Sequence, residues 1–409
     1  MEAQRPDVMG EDAGKVLGIV TEYNPFHDGH AYHLNEALRL TGAETTLAVM
    51  SGDFVQRGEP ALLSKWVRAD MAVRNGIDLV IELPFVYAAG NAEYFAKGAV
   101  KILNGLGCID FLSFGSESGD ASKLSAAAYL TAKSPEFNAK VKEYMAEGIS
   151  YPAARHRALE ALVGSSGAAV LNAPNDTLAV EYLKQMLQQR AIIKFIPVKR
   201  SENEDFRGAT AIRDMLRRGD LKTAQKFIPA ASRDIIKAAK GDERPLFLDD
   251  FMQLLCYRVA VSDRKSLSEV LSATEGLENR LADAVREAVD MSDLIDRVDT
   301  KRYTQTRIRR LILHTLAGLT KEDMRAINAG GTYARVLAFN DKGARLIRRM
   351  KGSGRLRIPI ITNPNREQEL LKGLETLSHF DALASDLRRI AETGSLSGFS
   401  DLQKNPKTV

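Results

Sequence analysis

The chain has 409 residues, of which 44% are hydrophobic and 27% charged. That is the composition of a folded globular protein and excludes a largely disordered one; at roughly 100–200 residues per domain it suggests two or three domains. No apolar run approaches the ~18 residues of a membrane span. Two distant cysteines, Cys108 and Cys256, exclude a disulfide framework and a Cys-rich zinc site, and point to a reducing cytoplasm.

Net charge is +4, but it is unevenly spread: Lys301–Arg357 carries 15 basic and 3 acidic residues, leaving the rest of the chain net negative. A basic section on an acidic body predicts a polyanion surface.

Residues 1–14 lack an apolar h-region and read as a flexible tail rather than a secretory signal. KVLGIV (Lys15–Val20) is the first strand-length apolar run, followed by a turn and a helical pattern over His30–Leu40. TLAVM (Thr46–Met50), a helix over Lys65–Asn75, LVIEL (Leu79–Leu83), a helix over Asn91–Leu106 and FLSF (Phe111–Phe114) continue the alternation. Strands alternating with helices predict an α/β fold, a parallel sheet covered on both faces. Ligands of such sheets bind beyond the C-terminal strand ends. That rim collects Thr21–His30, Ser51–Ser64, Leu83–Pro84 and Gly115–Glu117. Beyond Asp120 the pattern is mainly helical, with Asn175–Gln189, a strand IIKFIPV (Ile192–Val198), Thr210–Arg218, Asp250–Ser262, Leu267–Val289 and Lys301–Leu316. Arg357–Thr362 reads as a short strand, and Asp401–Val409 is expected to fray.

The chemistry gathers after the first strand. His27, Gly29 and His30 form H-x-G-H at a strand-to-helix turn. Glycine lets a backbone approach phosphate closely, a helix N-terminus favours anions, and imidazoles donate to phosphate oxygens. The same spacing, extended by His33 and joined by Asp28 or Glu22, also suits a metal ion, and the residues alone leave that open. Later, Gly208-Ala209-Thr210-Ala211-Ile212-Arg213 opens a helix, where Thr210 suits an N-cap and Arg213 reaches the first turn. Asp53, Arg57 and Lys65 follow the second strand at the same rim.

H-x-G-H with the later Thr-x-Ile-Arg resembles the two signatures of the HIGH-type nucleotidyltransferase superfamily. GIVTEYNPFHDGHAYH (Gly18–His33), MSGDFVQRGEPALLSKW (Met50–Trp66), DLVIELP (Asp78–Pro84), FGSE (Phe114–Glu117) and KRYTQTRIRRLIL (Lys301–Leu313) together resemble the bacterial tRNA(Met) cytidine acetate ligase family. The likeness runs from Lys15 onward. It implies a Rossmann-like ATP-binding catalytic domain over 15–218, a mainly helical tRNA-binding region over 219–400 with the basic segment 301–357, and a frayed end at 401–409. It implies that acetate is activated by ATP as acetyl-adenylate and passed to N4 of the wobble cytidine of elongator tRNA(Met), giving N4-acetylcytidine. It also implies His27 and His30 as catalytic residues. The implied ATP contacts are the loop Val20-Thr21-Glu22-Tyr23-Asn24-Pro25-Phe26-His27-Asp28-Gly29-His30-Ala31-Tyr32-His33, with Gly115, Asn175 and Arg200. Either Lys65 or Arg57 would hold acetate or a phosphate oxygen, Thr210 and Arg213 are further phosphate or acetate contacts, Asp53 would meet a ribose hydroxyl or the attacking amine, and Mg2+ is expected with ATP. Lys301, Arg302, Arg307, Arg309 and Arg310 would bind tRNA, with Arg345, Arg348 and Arg349 as a second cluster and Tyr303, Tyr333 or Phe339 as stacking candidates. Two positions depart from the family pattern. Asp28 stands where Asn is common, read as an N-cap, and Gly208 where Ser is typical.

Two rivals predict different behaviour. A small-molecule adenylyltransferase would need neither the basic segment nor the long chain after Arg213. A non-catalytic RNA-binding protein would not retain His27, Gly29 and His30.

Overall fold

The computed structural model describes residues 14–200, 208–239, 243–300 and 303–409. The tail expected over 1–14 lies, up to Gly14, outside the described residues, as do Lys301 and Arg302.

The strands are β1 (Val16–Thr21), β2 (Thr45–Ser51), β3 (Phe54–Val55), β4 (Glu59–Pro60), β5 (Leu79–Leu83), β6 (Phe111–Ser116), β7 (Lys194–Lys199), β8 (Ala334–Phe339), β9 (Ile360–Ile361) and β10 (Lys407–Thr408). One sheet runs β10-β8-β5-β2-β1-β6-β7, with β9 also on β8, while β3 and β4 form a small antiparallel hairpin. β5, β2, β1, β6 and β7 are mutually parallel. β1 is central, Ile19 lying opposite Ala48 on one side and Ser113 on the other.

Period-two alternation supplies both cores. Leu17, Ile19, Ala48 and Met50 pack beneath α1 (Asp28–Thr41) and α2 (Lys65–Arg74). Val16, Leu47 and Val49 point to the other face, covered by helices such as Ala92–Leu106 and Pro174–Gln188. Ala92–Leu106 shows why such segments are helical. Asn91 caps its first turn by accepting from Tyr94 N, Gly107 ends it at φ +68°, and its apolar stripe buries Phe95, Ala99, Ile102 and Leu103. Among the described residues no helix is long and apolar enough to cross a membrane.

Three features depart from the sequence reading. β8 was hidden within a stretch read as helical; a six-residue apolar run, ARVLAF, has no period that separates strand from buried helix. β8 runs antiparallel to β5, so the sheet takes strands from both sides of residue 218. Leu267–Val289 is broken: one helix ends at Glu269, and the next begins at Leu277 after Gly276 at φ +80°.

The end of the chain does not fray. β10 pairs with β8, and Asp401 is 2% exposed. Its carboxylate binds Lys65 Nζ at 2.9 Å, accepts from Trp66 Nε1 at 3.0 Å and pairs with Arg335. Lys65 Nζ also reaches Glu82 at 2.7 Å. This network, drawn from residues 65 to 401, replaces the ordering that local sequence lacks.

Candidate active site

The turn after β1 is built by its own histidines. His27 is the N-cap of α1: its Nδ1 accepts from Gly29 N at 3.1 Å, and His30 Nδ1 accepts from His27 N at 3.3 Å. The two imidazoles thus form a reciprocal capping box, a part usually played by Ser or Thr with Glu. Their rings stack at 3.8 Å between centroids. Because both Nδ1 atoms accept, each neutral ring carries its proton on Nε2, leaving that N–H as its remaining donor.

Charge agrees with this tautomer. Burial, then Arg200 and Arg213, pulls the His27 imidazolium down to about 4. Burial, then His27, His33 and Arg200, takes His30 well below its ordinary value. Burial brings His33 to about 4, and its Nε2 meets Ser113 Oγ at 2.9 Å. All three are therefore neutral near pH 7.

The cap revises one expectation. His27, not Asp28, is the N-cap; Asp28 occupies the first helical position, where acidic residues are favoured by the helix dipole. The Gly29 N–H donates to His27 Nδ1, and a Cβ on Gly29 would lie 2.9 Å from His27 Cε1.

The loop is anchored from beneath. Arg68, fully buried on α2, donates to Glu22 O at 2.5 Å, Ser51 O at 2.9 Å, Leu63 O at 3.0 Å, and Gly52 O. One guanidinium therefore ties the ends of β1 and β2 together. Glu22 Oε1 accepts from Gln56 N at 3.0 Å, and Asn24 Oδ1 from Leu62 N at 2.7 Å. Asn24 is 1% exposed and its Nδ2 has no partner among the described residues. Tyr23 and Phe26 pack together at 4.7 Å, Tyr23 adding an edge contact to His30.

The neighbouring strand ends supply the rest of the rim. Gly115 lies near the end of β6, with Arg200 Cγ 3.9 Å from where its Cβ would be. Glu117 accepts from Asn175 Nδ2 at 2.6 Å and Asp176 N at 2.9 Å, while Asp176 accepts from Glu117 N and Ser118 N at 3.0 Å. This reciprocal clasp fixes Asn175 and the 116–118 turn to each other. On the other side, the Ala209–Arg217 helix begins at Gly208, with no side-chain cap. Thr210 is therefore inside the first turn rather than the N-cap. Arg213 donates to Asn24 O at 3.2 Å and Thr210 Oγ1 at 3.3 Å, and Arg57 reaches Thr210 Oγ1 at 3.4 Å.

Two rim candidates are excluded. Lys65 is 1% exposed and committed to Glu82 and Asp401, so it meets neither acetate nor phosphate. Of the pair, only Arg57 stands at the rim. Asp53 is also buried, accepting from Lys65 N at 3.0 Å and Ser385 Oγ at 2.6 Å.

The basic segment divides. Arg307, Arg309 and Arg310 begin the Gln305–Ala317 helix beside β3–β4, Arg310 Nη1 lying 3.4 Å from Gln56 O. Arg345, Arg348 and Arg349 lie on Asp341–Gly352, at the opposite end of the sheet: Gly343 abuts Asp78, which precedes β5, and Arg349 binds Gly14 O at 3.0 Å. They do not extend the surface beside the loop. Tyr303 and Tyr333 are buried, Tyr333 donating to Asp381, so neither presents a face for stacking.

The HIGH Nucleotidyl Transferase family model matches residues 14–399. A protein of Thermoanaerobacter sp. (strain X514) named tRNA(Met) cytidine acetate ligase is 37% identical over 94% of this chain and 97% of its own. The chain belongs to the tRNA(Met) cytidine acetate ligase family. A relative of the same name in Caldicellulosiruptor saccharolyticus is 39% identical over 82% of this chain and 85% of its own. The crystal structure of Thermotoga maritima TmcAL bound with alpha-thio ATP superposes with a TM-score of 0.91 at 33% identity, covering 97% of this chain and 99% of that one. The apo structure of that protein gives the same TM-score. The fold and the family expected from the sequence are both borne out.

Sequence alone assigns no role to Arg68 or Asp176, and places Glu59 and Glu117 on the rim without one. Arg68 had a signal: in α2, KWVRADMAVR, it stands between apolar Val67 and Ala69, and a cation among apolar residues implies buried partners. The other three depend on segments far apart in sequence.

Proposed function

We propose that this protein is an ATP-dependent acetate ligase that acetylates N4 of the wobble cytidine in elongator tRNA(Met). The observation that carries the reading is the paired-histidine turn after β1, with Arg213 bonded to its backbone at Asn24. That constellation suits a nucleoside triphosphate.

An acetate oxygen attacks the α-phosphorus, and pyrophosphate leaves. The Nε2–H groups of His27 and His30 donate to phosphate oxygens as charge develops, and Arg213, Arg57 and Thr210 bind the outer phosphates. Neutral imidazoles serve as donors here without a proton having to be taken up first. Gly115, Asn175 and Arg200 border the nucleoside. The cytidine N4 then attacks the acetyl carbon, AMP leaves, and the amine loses a proton. Because the adenylate is already activated, holding the amine against the carbonyl supplies much of the rate. Arg307 and Arg309, with Lys301 and Arg302, place the tRNA through phosphate contacts; Arg310, largely enclosed beside Gln56, supports that helix end.

Mg2+ would arrive with ATP. The turn offers imidazoles and amides, and no group of three or more His, Cys, Asp or Glu suited to a metal occurs among the described residues. No step is therefore assigned to a protein-held metal. A tRNA-modifying enzyme of this kind, with reduced cysteines, would work in the cytoplasm.

Pyrophosphate exchange into ATP tests the first step. Exchange that requires acetate supports the reading; exchange indifferent to acetate, or none in folded protein, refutes it.

A further inference from the structure

We propose that Glu59 is a positioning residue that couples acetate activation to tRNA binding. Its single carboxylate is shared between Arg213, beside the nucleotide loop, and Arg309, at the head of the Gln305–Ala317 helix. The inference rests on the function proposed above, in which Arg213 meets ATP and Arg309 meets tRNA.

Glu59 Oε2 lies 3.4 Å from Arg213 Nη2, and Oε1 pairs with Arg309 Nη1. The three side chains are 22%, 13% and 31% exposed, so an arriving anion can reach them while water screens them incompletely. The hairpin holds the carboxylate in place. Val55 pairs with Glu59 across β3–β4, Gln56 N donates to Glu22, and Arg57 touches Thr210. Gly58, at φ +77°, sits so close to the helix that a Cβ would come 2.6 Å from Arg310 N. The hairpin thus touches the nucleotide loop, the Arg213 helix and the basic helix together.

A guanidinium binds carboxylate and phosphate through the same planar donors. Glu59 therefore competes with ATP for Arg213 and with tRNA for Arg309. A phosphate arriving at either arginine also repels the carboxylate from the bridge. Displacement is needed only once. The second polyanion then meets an arginine that the first has already released. Binding of ATP and tRNA is positively coupled as a result, and by linkage the coupling is reciprocal. The chemical consequence is that acetyl-adenylate, which water can hydrolyse, forms mainly when its acceptor is in place.

The test is acetate-dependent pyrophosphate exchange, with and without purified elongator tRNA(Met), in wild type, Glu59→Gln and Glu59→Asp. The Asp variant keeps the charge but is one methylene too short to span both arginines. In wild type, tRNA should lower KM for ATP about fivefold or more. In both variants KM should already be low without tRNA, and the tRNA effect should vanish. Filter binding should show the reciprocal: a non-hydrolysable ATP analogue tightens tRNA binding to wild type by a similar factor, and not to the variants. The proposal is overturned if wild type shows no tRNA effect, or if the effect persists in Glu59→Gln. It is also overturned if exchange drops equally with and without tRNA, since Glu59 would then only shape the site. Acetylation of tRNA by wild type is measured in the same preparations. Its absence overturns the underlying function, and the coupling with it.

Discussion

Asp401→Asn should destabilise the protein severely, although residue 401 lies only eight positions from residue 409. Asp401, Lys65 and Arg335 have side chains 0%, 1% and 1% exposed. Asparagine keeps the shape but removes the charge that balances two buried cations. Lys65 retains Glu82 at 2.7 Å, whereas Arg335 is left with Glu82 at 3.8 Å. Removing one partner of a buried ion pair costs roughly 3–5 kcal/mol, a large share of a total stability of about 5–15 kcal/mol. Urea unfolding at pH 7 reads the difference from the midpoint and slope. An acid limb checks its origin. Burial alone would raise the Asp401 carboxyl, but Lys65 and Arg335 overcome it and hold the group at about 2, below its ordinary 3.8. A depressed carboxyl stabilises the fold above 3.8, and that contribution disappears as pH falls toward 2. Wild type should lose it over that window, and Asp401→Asn should lack that component. A variant within ~1 kcal/mol of wild type, with an unchanged acid limb, would refute the buried network as the reason the chain end is ordered.

Other predictions concern the site. His30→Ala removes one Nε2 donor and half of the capping box, and should cut acetate-dependent exchange by about 100-fold or more while tRNA affinity in filter binding stays within about twofold; lost tRNA affinity with normal exchange would misplace His30. Arg307→Glu with Arg309→Glu should weaken tRNA binding and flatten its salt dependence, leaving exchange without tRNA active; unchanged binding would remove the tRNA role of that helix. Imidazole NMR of the free protein should show His27 and His33 titrating near 4. Because these values lie below the ordinary 6.5, the neutral rings stabilise the fold above 6.5, and that contribution is lost as pH falls toward 4. ATP should move the His27 value upward; titration near 6.5 in the free protein would contradict the burial argument. Arg68→Lys replaces a planar fork by a point donor unable to span four carbonyls, and should raise KM for ATP at least about tenfold with the fold retained by circular dichroism; an unchanged KM would show that the loop holds itself.

The legible parts of the molecule were those whose cause is local. Thr46–Met50 and Leu79–Leu83 are apolar runs of strand length, and both are strands. His27-Asp28-Gly29-His30 announces a turn because a glycine between histidines at a strand end has few other uses. What stayed hidden depends on distant partners. ARVLAF becomes a strand because β5 offers it an edge, which no window of sequence reveals. Lys65 looked like a rim cation because it follows β2. It is instead enclosed by Glu82 and by Asp401, 336 positions away. Asp53 was misread for the same reason, its partner Ser385 lying on the last long helix. The basic segment was visible as composition, but composition does not say that Arg309 and Arg348 end up at opposite ends of the sheet.

One chain should both activate acetate and deliver it to a cytidine of tRNA. Incubating the protein with labelled acetate and elongator tRNA(Met), with and without ATP, followed by nucleoside analysis of the digested tRNA, tests this most directly. Label should appear in N4-acetylcytidine, dependent on ATP and confined to the wobble position. ATP consumed with acetate but no label in tRNA would contradict the acceptor, and neither product in a folded sample would contradict the enzyme itself.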